Sequence, residues 1–485
     1  MEIWYRQSPN FYDLDAKRDY ERDLMRYTMT FLDKDFLHLT EHLFSNRSVE
    51  QAAYLLCRLA KTDEETRLLV RKVIPVTGVE IDSQSATCMN IKQHSFLKAM
   101  KAAAMAQECF IFVHSHPTGL LKFSSQDDAE EAPLFRTAYN RIHNDVVHGS
   151  MVFAEPNRLI ARVWLADGTT APIALVRTIG RTFQFFFRNQ DQDIRTTFFD
   201  RQILAFGKEI QLLLSNLHIG IVGAGGTGSA LAEQLIRLGI GNLIVIDDDV
   251  FKSSNINRVY GSRVVDETIP KVKLIERLAA DIGLGTRVST IQGRIYYKSV
   301  FSRLRECDIV FGCTDDEWGR SILNRMAFYY LIPVFDMGVK IDSLENGSIR
   351  SIQGRVTTLM PPHACLCCRD RIDGDRIHKE SLSIFNPHEY EQLKKDGYVR
   401  GLDTDAPSVI PFTTSVASSA VIELLHRLTG FLGNDRNSSE VLHLFDSTRI
   451  RTNNRVPSEQ CFCRDTSLWG KGDSPLFLDT TWPAE

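Results

Sequence analysis

The stretch that most constrains this chain is residues 217–238. An apolar run at 217–222 meets Gly223-Ala224-Gly225-Gly226-Thr227-Gly228-Ser229 and passes into apolar residues at helical spacing. Glycines between a buried strand and a helix let backbone N–H groups close on an anion at the helix N-terminus. The rhythm continues, with strands predicted at 242–246, 287–292, 309–312 and 332–335, and helices at 229–238, 271–282 and 321–330. Such alternation predicts an α/β fold built on a parallel, doubly wound, Rossmann-like sheet.

At 485 residues the chain is long enough for two or three domains of about 150 residues each. The N-terminal half reads as a second α/β unit. Helices are predicted at 19–32, at 49–59 from the spacing of Ala52, Ala53, Leu55, Leu56 and Leu59, and at 94–107; strands are predicted at 67–79, 109–113 and 151–164. The expected division is a motif-free segment at 1–34, one domain at 35–170, a linker at 171–195 and a second domain at 196–485. A hydrophobic content of 43% with 24% charged residues excludes a disordered or fibrous chain. No run approaches the roughly 18 apolar residues of a membrane helix, and the first residues lack the pattern of a secretory signal. A cytoplasmic protein is expected. The net charge of −4 argues against a non-specific nucleic-acid binder.

Two clusters carry chemistry. In the first, His114-Ser115-His116-Pro117 follows the predicted strand at 109–113. Alternation along an extended chain points His114 and His116 the same way, so one metal ion can take both. Ser124-Ser125-Gln126-Asp127 fits a helix N-terminus and offers Asp127 as a third ligand. Two imidazoles and a carboxylate leave a zinc position open, as hydrolytic sites require. The string resembles the JAMM (JAB/MPN) metalloprotease signature, whose members release ubiquitin-like proteins from conjugates. The resemblance implies His114, His116 and Asp127 as ligands of a catalytic Zn²⁺ and Ser124 as a stabiliser of the oxyanion. It also implies a glutamate base at the head of an upstream helix. Glu50 in Glu50-Gln51-Ala52-Ala53 fits that context, with Ala53 in place of the family's glycine, and Glu80 competes on proximity.

The second cluster surrounds the glycine loop. Asp247 ends the next strand, followed by Asp249, then Asn255 and Arg258, then Lys271; Cys313-Thr314-Asp315-Asp316 follows a later strand, with Arg320 and Asn324 beyond it. Cations combined with a metal-capable carboxylate suit a triphosphate and Mg²⁺ better than a nicotinamide. Together with Arg201-Gln202, the set resembles the ThiF/MoeB family, the adenylation domain of ubiquitin-activating enzymes. The resemblance implies that Gly223, Gly225, Gly226, Gly228 and Ser229 receive ATP, that Asp247 and Asp249 lie at its ribose end, and that Asn255, Arg258 and Lys271 cradle phosphates. It further implies Mg²⁺ on Asp315 and an Arg201 that reaches the ATP of the other subunit of a homodimer.

Cys365, Cys367, Cys368, Cys461 and Cys463 are clustered in a chain without an export signal, which reads as metal ligation before disulfides. The ThiF/MoeB resemblance implies a structural Zn²⁺ on Cys365, Cys368, Cys461 and Cys463, with C-x-C where the family has a second C-x-x-C. Cys367 is then either a thioester-forming nucleophile or a structural thiol, since the loop at 401–407 holds no cysteine. The combined expectation is adenylation of the C-terminus of a ubiquitin-like protein, together with zinc-dependent cleavage of the same modifier, and handover to a conjugating enzyme. The alternatives are a sulfur-carrier or peptide activator whose JAMM domain only processes the carrier, and a JAMM scaffold that binds without cutting. Fusions of these two domain types resemble components of bacterial ubiquitin-like conjugation systems, some with antiviral character.

Overall fold

The computed structural model describes residues 25–142, 145–189, 196–344, 346, 348–396, 407–433, 436, 438–473 and 482–483. The N-terminal half runs β1 (Arg26–Leu32), α1 (Asp33–Leu43), β2 (Ala52–Lys61), β3 (Glu65–Pro75), a hairpin of β4 (Ile81–Gln84) and β5 (Met89–Ile91), and α2 (Gln93–Ala106). It continues with β6 (Cys109–Ser115), α3 (Ser125–Arg141), β7 (His148–Glu155), β8 (Arg158–Trp164), β9 (Thr170–Ile179) and β10 (Gln184–Phe187). Its sheet has the order β1-β3-β2-β6-β7-β8-β9-β10, and β9 also pairs in parallel with β1, so the sheet curls onto itself.

Three sequence expectations are corrected here. Residues 52–61 form strand β2 rather than a helix: Leu55 and Cys57 enter one core with α1, while Tyr54 and Leu56 enter another with α2 and α3. A strand buried on both faces is apolar at nearly every position, and a short window of such residues mimics helical spacing. Residues 26–32 are a strand too, and residues 19–24 of the helix expected at 19–32 lie outside the described residues. The expected linker at 171–195 contains β9 and β10, so the sheet takes in residues on both sides of the 35–170 span. Every residue from Leu175 to Ile179 is buried, with Leu175 and Ile179 in one core and Ile173 and Val176 in another, so β9 is an interior strand rather than a connection.

The C-terminal half holds α4 (Thr196–Phe206), α5 (Lys208–Asn216), β11 (His218–Val222), α6 (Gly226–Arg237), β12 (Asn242–Ile246), α7 (Lys271–Ile282), β13 (Arg287–Ile291), α8 (Lys298–Leu304) and β14 (Ile309–Gly312). Then come α9 (Glu317–Tyr329), β15 (Val334–Ser343), β16 (Ile349–Leu359), α10 (Gly374–Phe385), α11 (Pro387–Lys395), α12 (Ile410–Thr429), β17 (Glu440–Leu444) and β18 (Arg449–Asn453). The sheet order is β13-β12-β11-β14-β15-β16-β17-β18. The first five strands are parallel and wound as expected, and β16 to β18 add an antiparallel extension. Among the described residues no helix is long and apolar enough to cross a membrane.

The halves share a core: Leu69, Leu175 and Ile179 of the first pack into the same cluster as Leu217, Ile219 and Phe328 of the second. A buried charge network crosses the seam. Arg177 Nη2 lies 2.9 Å from Asp308 Oδ1 and 3.3 Å from Glu65 Oε1. Arg67 pairs with Glu65 at 3.1 Å and donates to the Cys307 carbonyl at 3.0 Å. Removing one member of a buried pair leaves an uncompensated charge, at a cost of about 3–5 kcal/mol. Arg177→Leu is therefore expected to lower the unfolding free energy, measured by urea titration, by that much, and a change under about 1 kcal/mol would show the network to be dispensable.

Acid should act at the same place. Burial alone would raise the Glu65 carboxyl, but Arg67, Arg177 and Arg26 hold it well below its ordinary 4.5. A depressed carboxylate contributes stability that is present above the unfolded value and lost as pH falls toward the folded one. Melting curves from pH 7 downward should show the wild type losing stability below about pH 4.5 more steeply than Glu65→Gln. Parallel curves would remove Glu65 from the account.

Candidate functional site

The histidine cluster is assembled by two neighbouring strands and a helix cap. β2 and β6 run antiparallel with Ala52 opposite His114, and Ser115 N–H donates to the Gln51 carbonyl at 2.9 Å. Glu50, just ahead of β2, therefore sits beside the end of β6 that carries the histidines. It is buried, and its backbone is held by Ser85 and Gln84 of the β4–β5 hairpin. The expected helix around Glu50 is absent, yet the carboxyl still feels the cluster. Burial raises its pKa, the His114 charge lowers it, and Asp127 and Glu130 raise it. Glu80, the competitor, caps the turn at 78–80 by accepting from Thr77.

His114 Nε2 lies 3.0 Å from His116 Nε2 and 3.2 Å from Asp127 Oδ1, and His116 Nε2 is 3.7 Å from Asp127 Oδ2. Adjacent ligands of a tetrahedral zinc with bonds of about 2.0–2.1 Å stand roughly 3.3 Å apart, so the donor set fits that ion. His116 Nδ1 meets the Leu120 carbonyl at 2.9 Å, which leaves Nε2 as the ligating nitrogen. Burial lowers the pKa of His116, which favours the neutral ring a metal needs. Burial would raise Asp127, but bonding to His114 and Ser124 holds it well below its ordinary range. Ser124 is the N-cap of α3: its hydroxyl accepts from Asp127 N at 3.1 Å and donates to Asp127 Oδ2 at 2.7 Å. In this arrangement its proton orients the carboxylate rather than standing free for an oxyanion.

The second cluster lies at the C-terminal edge of the parallel strands. Gly223 has φ +96°, and a Cβ there would lie 2.7 Å from the Cys313 carbonyl; one on Gly228 would lie 1.8 Å from the Gly223 carbonyl. These two glycines are demanded by the close approach of the loop to its own helix and to the 313–316 loop. Gly225 and Gly226 open α6, with the Arg258 side chain lying over Gly226. Ser229 is wholly buried and accepts from Tyr260 N–H at 3.0 Å, so its hydroxyl braces the loop.

Asp247 accepts from Ala224 N–H at 2.6 Å and from Asp249 N–H at 2.8 Å. Burial raises its pKa and Lys271 lowers it. Lys271 Nζ is 2.6 Å from Asp249 Oδ2 and 4.0 Å from Asp247 Oδ1. Arg258 donates to the Ser254 carbonyl at 2.7 Å, and Asn255 caps its own turn by accepting from Lys252 N–H at 3.1 Å. Asp315 is exposed, whereas Asp316 accepts from Gly319 N–H and caps α9. Arg201 is exposed on α4.

Sequence reasoning missed the ground next to this cluster. Asp336, fully buried on β15, is clamped by Arg320 and Arg355, and these arginines line a cavity of about 360 Å³ with Lys340, Gln353 and Leu442. Arg320 stands in the sequence with the second cluster, on the helix beyond Asp315. Its partner on β16 depends on the antiparallel extension, for which no local signal was read.

Cys365, Cys368, Cys461 and Cys463 converge with all four sulfurs within 4.8 Å of one another. The Cys365–Cys461 and Cys368–Cys463 contacts of 3.4 and 3.6 Å approach the roughly 3.8 Å edge of a tetrahedral zinc–thiolate site. The C-x-C pair serves because a short turn at 462–464 folds Cys463 back beside Cys461. Cys367 is exposed, with its sulfur 3.6 Å from Asn324 Nδ2, and stays outside the four.

Residues 199–464 match the ThiF family. The chain belongs to the ThiF family. It is 28% identical over 162 residues to the SAMP-activating enzyme E1 of Haloferax volcanii, covering 33% of this chain and 56% of that one. It is 26% identical over 183 residues to the molybdopterin-synthase adenylyltransferase of Escherichia coli, covering 36% and 69%. Thus the match spans little more than half of the archaeal relative. The E. coli MccB structure with ATP aligns over 85% of this chain and 99% of its own, at 14% identity and a TM-score of 0.43. The ThiF match begins beyond β10, so the N-terminal sheet and its histidine cluster lie outside it.

Proposed function

We propose that this ThiF-family chain adenylates the C-terminal carboxylate of a ubiquitin-like or sulfur-carrier protein, and that its N-terminal half is a JAMM-type zinc peptidase acting on the same modifier. The observation that carries the first part is the convergence of the glycine loop, Asp247, Lys271, Arg258 and Asp315 at one edge of the sheet, in a chain similar to the two activating enzymes above. The carboxylate oxygen attacks the α-phosphorus of ATP, the bond to the β-phosphate oxygen breaks, and pyrophosphate leaves with that electron pair. Loop N–H groups and the positive end of α6 hold phosphate oxygens. Lys271 and Arg258, now on Asp249 and the Ser254 carbonyl, exchange these partners for the triphosphate. Asp247 would receive ribose hydroxyls, and Asp315 would hold Mg²⁺, which when bound would supply positive charge beside the leaving group. Arg201 reaches across a homodimer.

The second part rests on the His114–His116–Asp127 geometry with Glu50 beside it. Zinc, when bound there, supplies Lewis-acid polarisation of the scissile carbonyl. Glu50 takes a proton from water and returns it to the leaving amine, and Ser124 orients Asp127. The four cysteines hold a structural zinc, and Cys367 next to them is kept as a candidate thioester nucleophile. Proteolytic processing would deliver the free C-terminus that adenylation consumes.

ATP–pyrophosphate exchange against a panel of ubiquitin-like and sulfur-carrier proteins tests this reading. Exchange that depends on one of them is expected. Release as a thiocarboxylate would assign the sulfur-carrier branch, and absence of exchange with every candidate would overturn adenylation.

A further inference from the structure

The metal-binding helix is poorly anchored where it matters. Asp127 and its cap Ser124 lie at the start of α3, but the buried residues of that helix are Glu131, Phe135 and Ala138, beginning a turn or more further on. The first turn has no apolar residue in either core. A ligand must be held to within about 0.5 Å to keep a coordination geometry, and an unpacked helix start does not provide that.

Gln126 Nε2 in that turn lies 3.5 Å from Cys88 Sγ, and the more extensive tie is one side chain from the sheet. Arg162 on β8 is only 11% exposed. Its guanidinium carbon sits 3.8 Å from the centre of the Phe123 ring. Nη1 reaches Asp128 Oδ1 at 2.5 Å, Nη2 reaches Glu131 Oε2 at 2.6 Å, and Nε reaches Ser150 Oγ at 3.1 Å. Phe123 immediately precedes the cap, Asp128 immediately follows the ligand, and Glu131 lies a turn on. The contacts thus bracket Ser124–Asp127 from both ends without touching a ligand. Glu131 is tied to the sheet in turn by Ser150 and by Trp164 Nε1 at 2.9 Å.

We propose that Arg162 is a positioning residue for the His114–His116–Asp127 centre, fixing the first turn of α3 against the sheet so that Asp127 meets the two histidines. The proposal rests on the metal-centre reading above. A planar fork is needed because the same group stacks on a ring and donates in three directions, which a lysine ammonium cannot do at once.

The test uses the full chain and Zn²⁺ itself, competed against a chromophoric chelator; His116→Ala identifies which of two zinc equivalents belongs to the histidine site. Arg162→Met is expected to weaken that equivalent by about 10- to 100-fold, the usual effect of losing an outer support, while the cysteine-held equivalent is unchanged. Arg162→Lys should recover part of the loss. With Zn²⁺ in the cysteine site and saturating Co²⁺ in the histidine site, the visible bands of folded Arg162→Met should differ from wild type. A purely structural role would lower the melting temperature and leave those bands alone. Should Arg162→Met fail to fold, Phe123→Leu and Asp128→Asn each remove one limb, and each should weaken the same equivalent several-fold. Affinity within twofold of wild type and superimposable bands in the folded variants would overturn the proposal. A wild-type chain holding a single zinc that His116→Ala does not remove would instead sink the metal-centre reading, and the positioning role with it.

Discussion

Asp315→Ala is expected to reduce ATP–pyrophosphate exchange by at least about a hundredfold while leaving zinc content and peptide cleavage intact. The loop between β14 and α9 is tied to the glycine loop, since Gly223 has no room for a Cβ against the Cys313 carbonyl. A carboxylate two residues on therefore lies next to the glycine loop, where the proposed reading puts the phosphates of ATP. Asp315 is exposed, and its backbone carbonyl accepts from Arg376 Nη2 at 3.3 Å. Asp316, one residue away, is spent on Gly319 and on Thr314. The pair makes an internal control: Asp316→Ala removes a helix cap and should cost about 1 kcal/mol of stability. Exchange in Asp315→Ala within threefold of wild type would move the metal-holding role elsewhere.

The sequence was readable where chemistry and local geometry coincide. Gly223 and Gly228 were legible because their backbone positions admit no side chain, and the four cysteines because thiols cluster in sequence around their sites. Elements in the parallel core, such as 271–282 and 309–312, were marked by one amphipathic face or by one apolar run between turns. What failed was decided by tertiary surroundings. The run 52–61 is apolar on both sides because two cores lie against it, and no local rule tells such a strand from a buried helix. Likewise β9 looks like a connection until β1, more than a hundred residues earlier, is seen to pair with it. The antiparallel strands behind Arg320 and Asp336 were missed for the same reason. The histidine cluster survived the wrong helix because Glu50 depends on the register of β2 against β6 rather than on its own local state. The loop at 401–407, read for its lack of cysteine, lies outside the described residues except at Pro407.

Glu50→Gln is expected to lower cleavage of a modifier fusion by about 10²- to 10⁴-fold without loss of zinc, whereas His116→Ala should lose both. Glutamine keeps the shape of the side chain and its backbone ties to Ser85 and Gln84, but it cannot accept a proton at neutral pH. The contrast separates a base from a ligand: a ligand variant empties the site, a base variant leaves a filled site that does not turn over. Neither should touch ATP–pyrophosphate exchange, because His114, His116 and Asp127 are held by β6 and α3 while the glycine loop hangs on β11 and α6. The seam of Arg67, Glu65, Arg177 and Asp308 is one of several contacts between the halves, beside the shared apolar core and the bonds of Arg71 and Arg427 across it. If His116→Ala abolishes exchange in a protein that still melts like wild type, the two sites are coupled, and Arg177→Leu then shows whether the charge seam carries the coupling. If Glu50→Gln cleaves at the wild-type rate with its zinc in place, the proton goes to another group and the peptidase assignment of Glu50 is withdrawn.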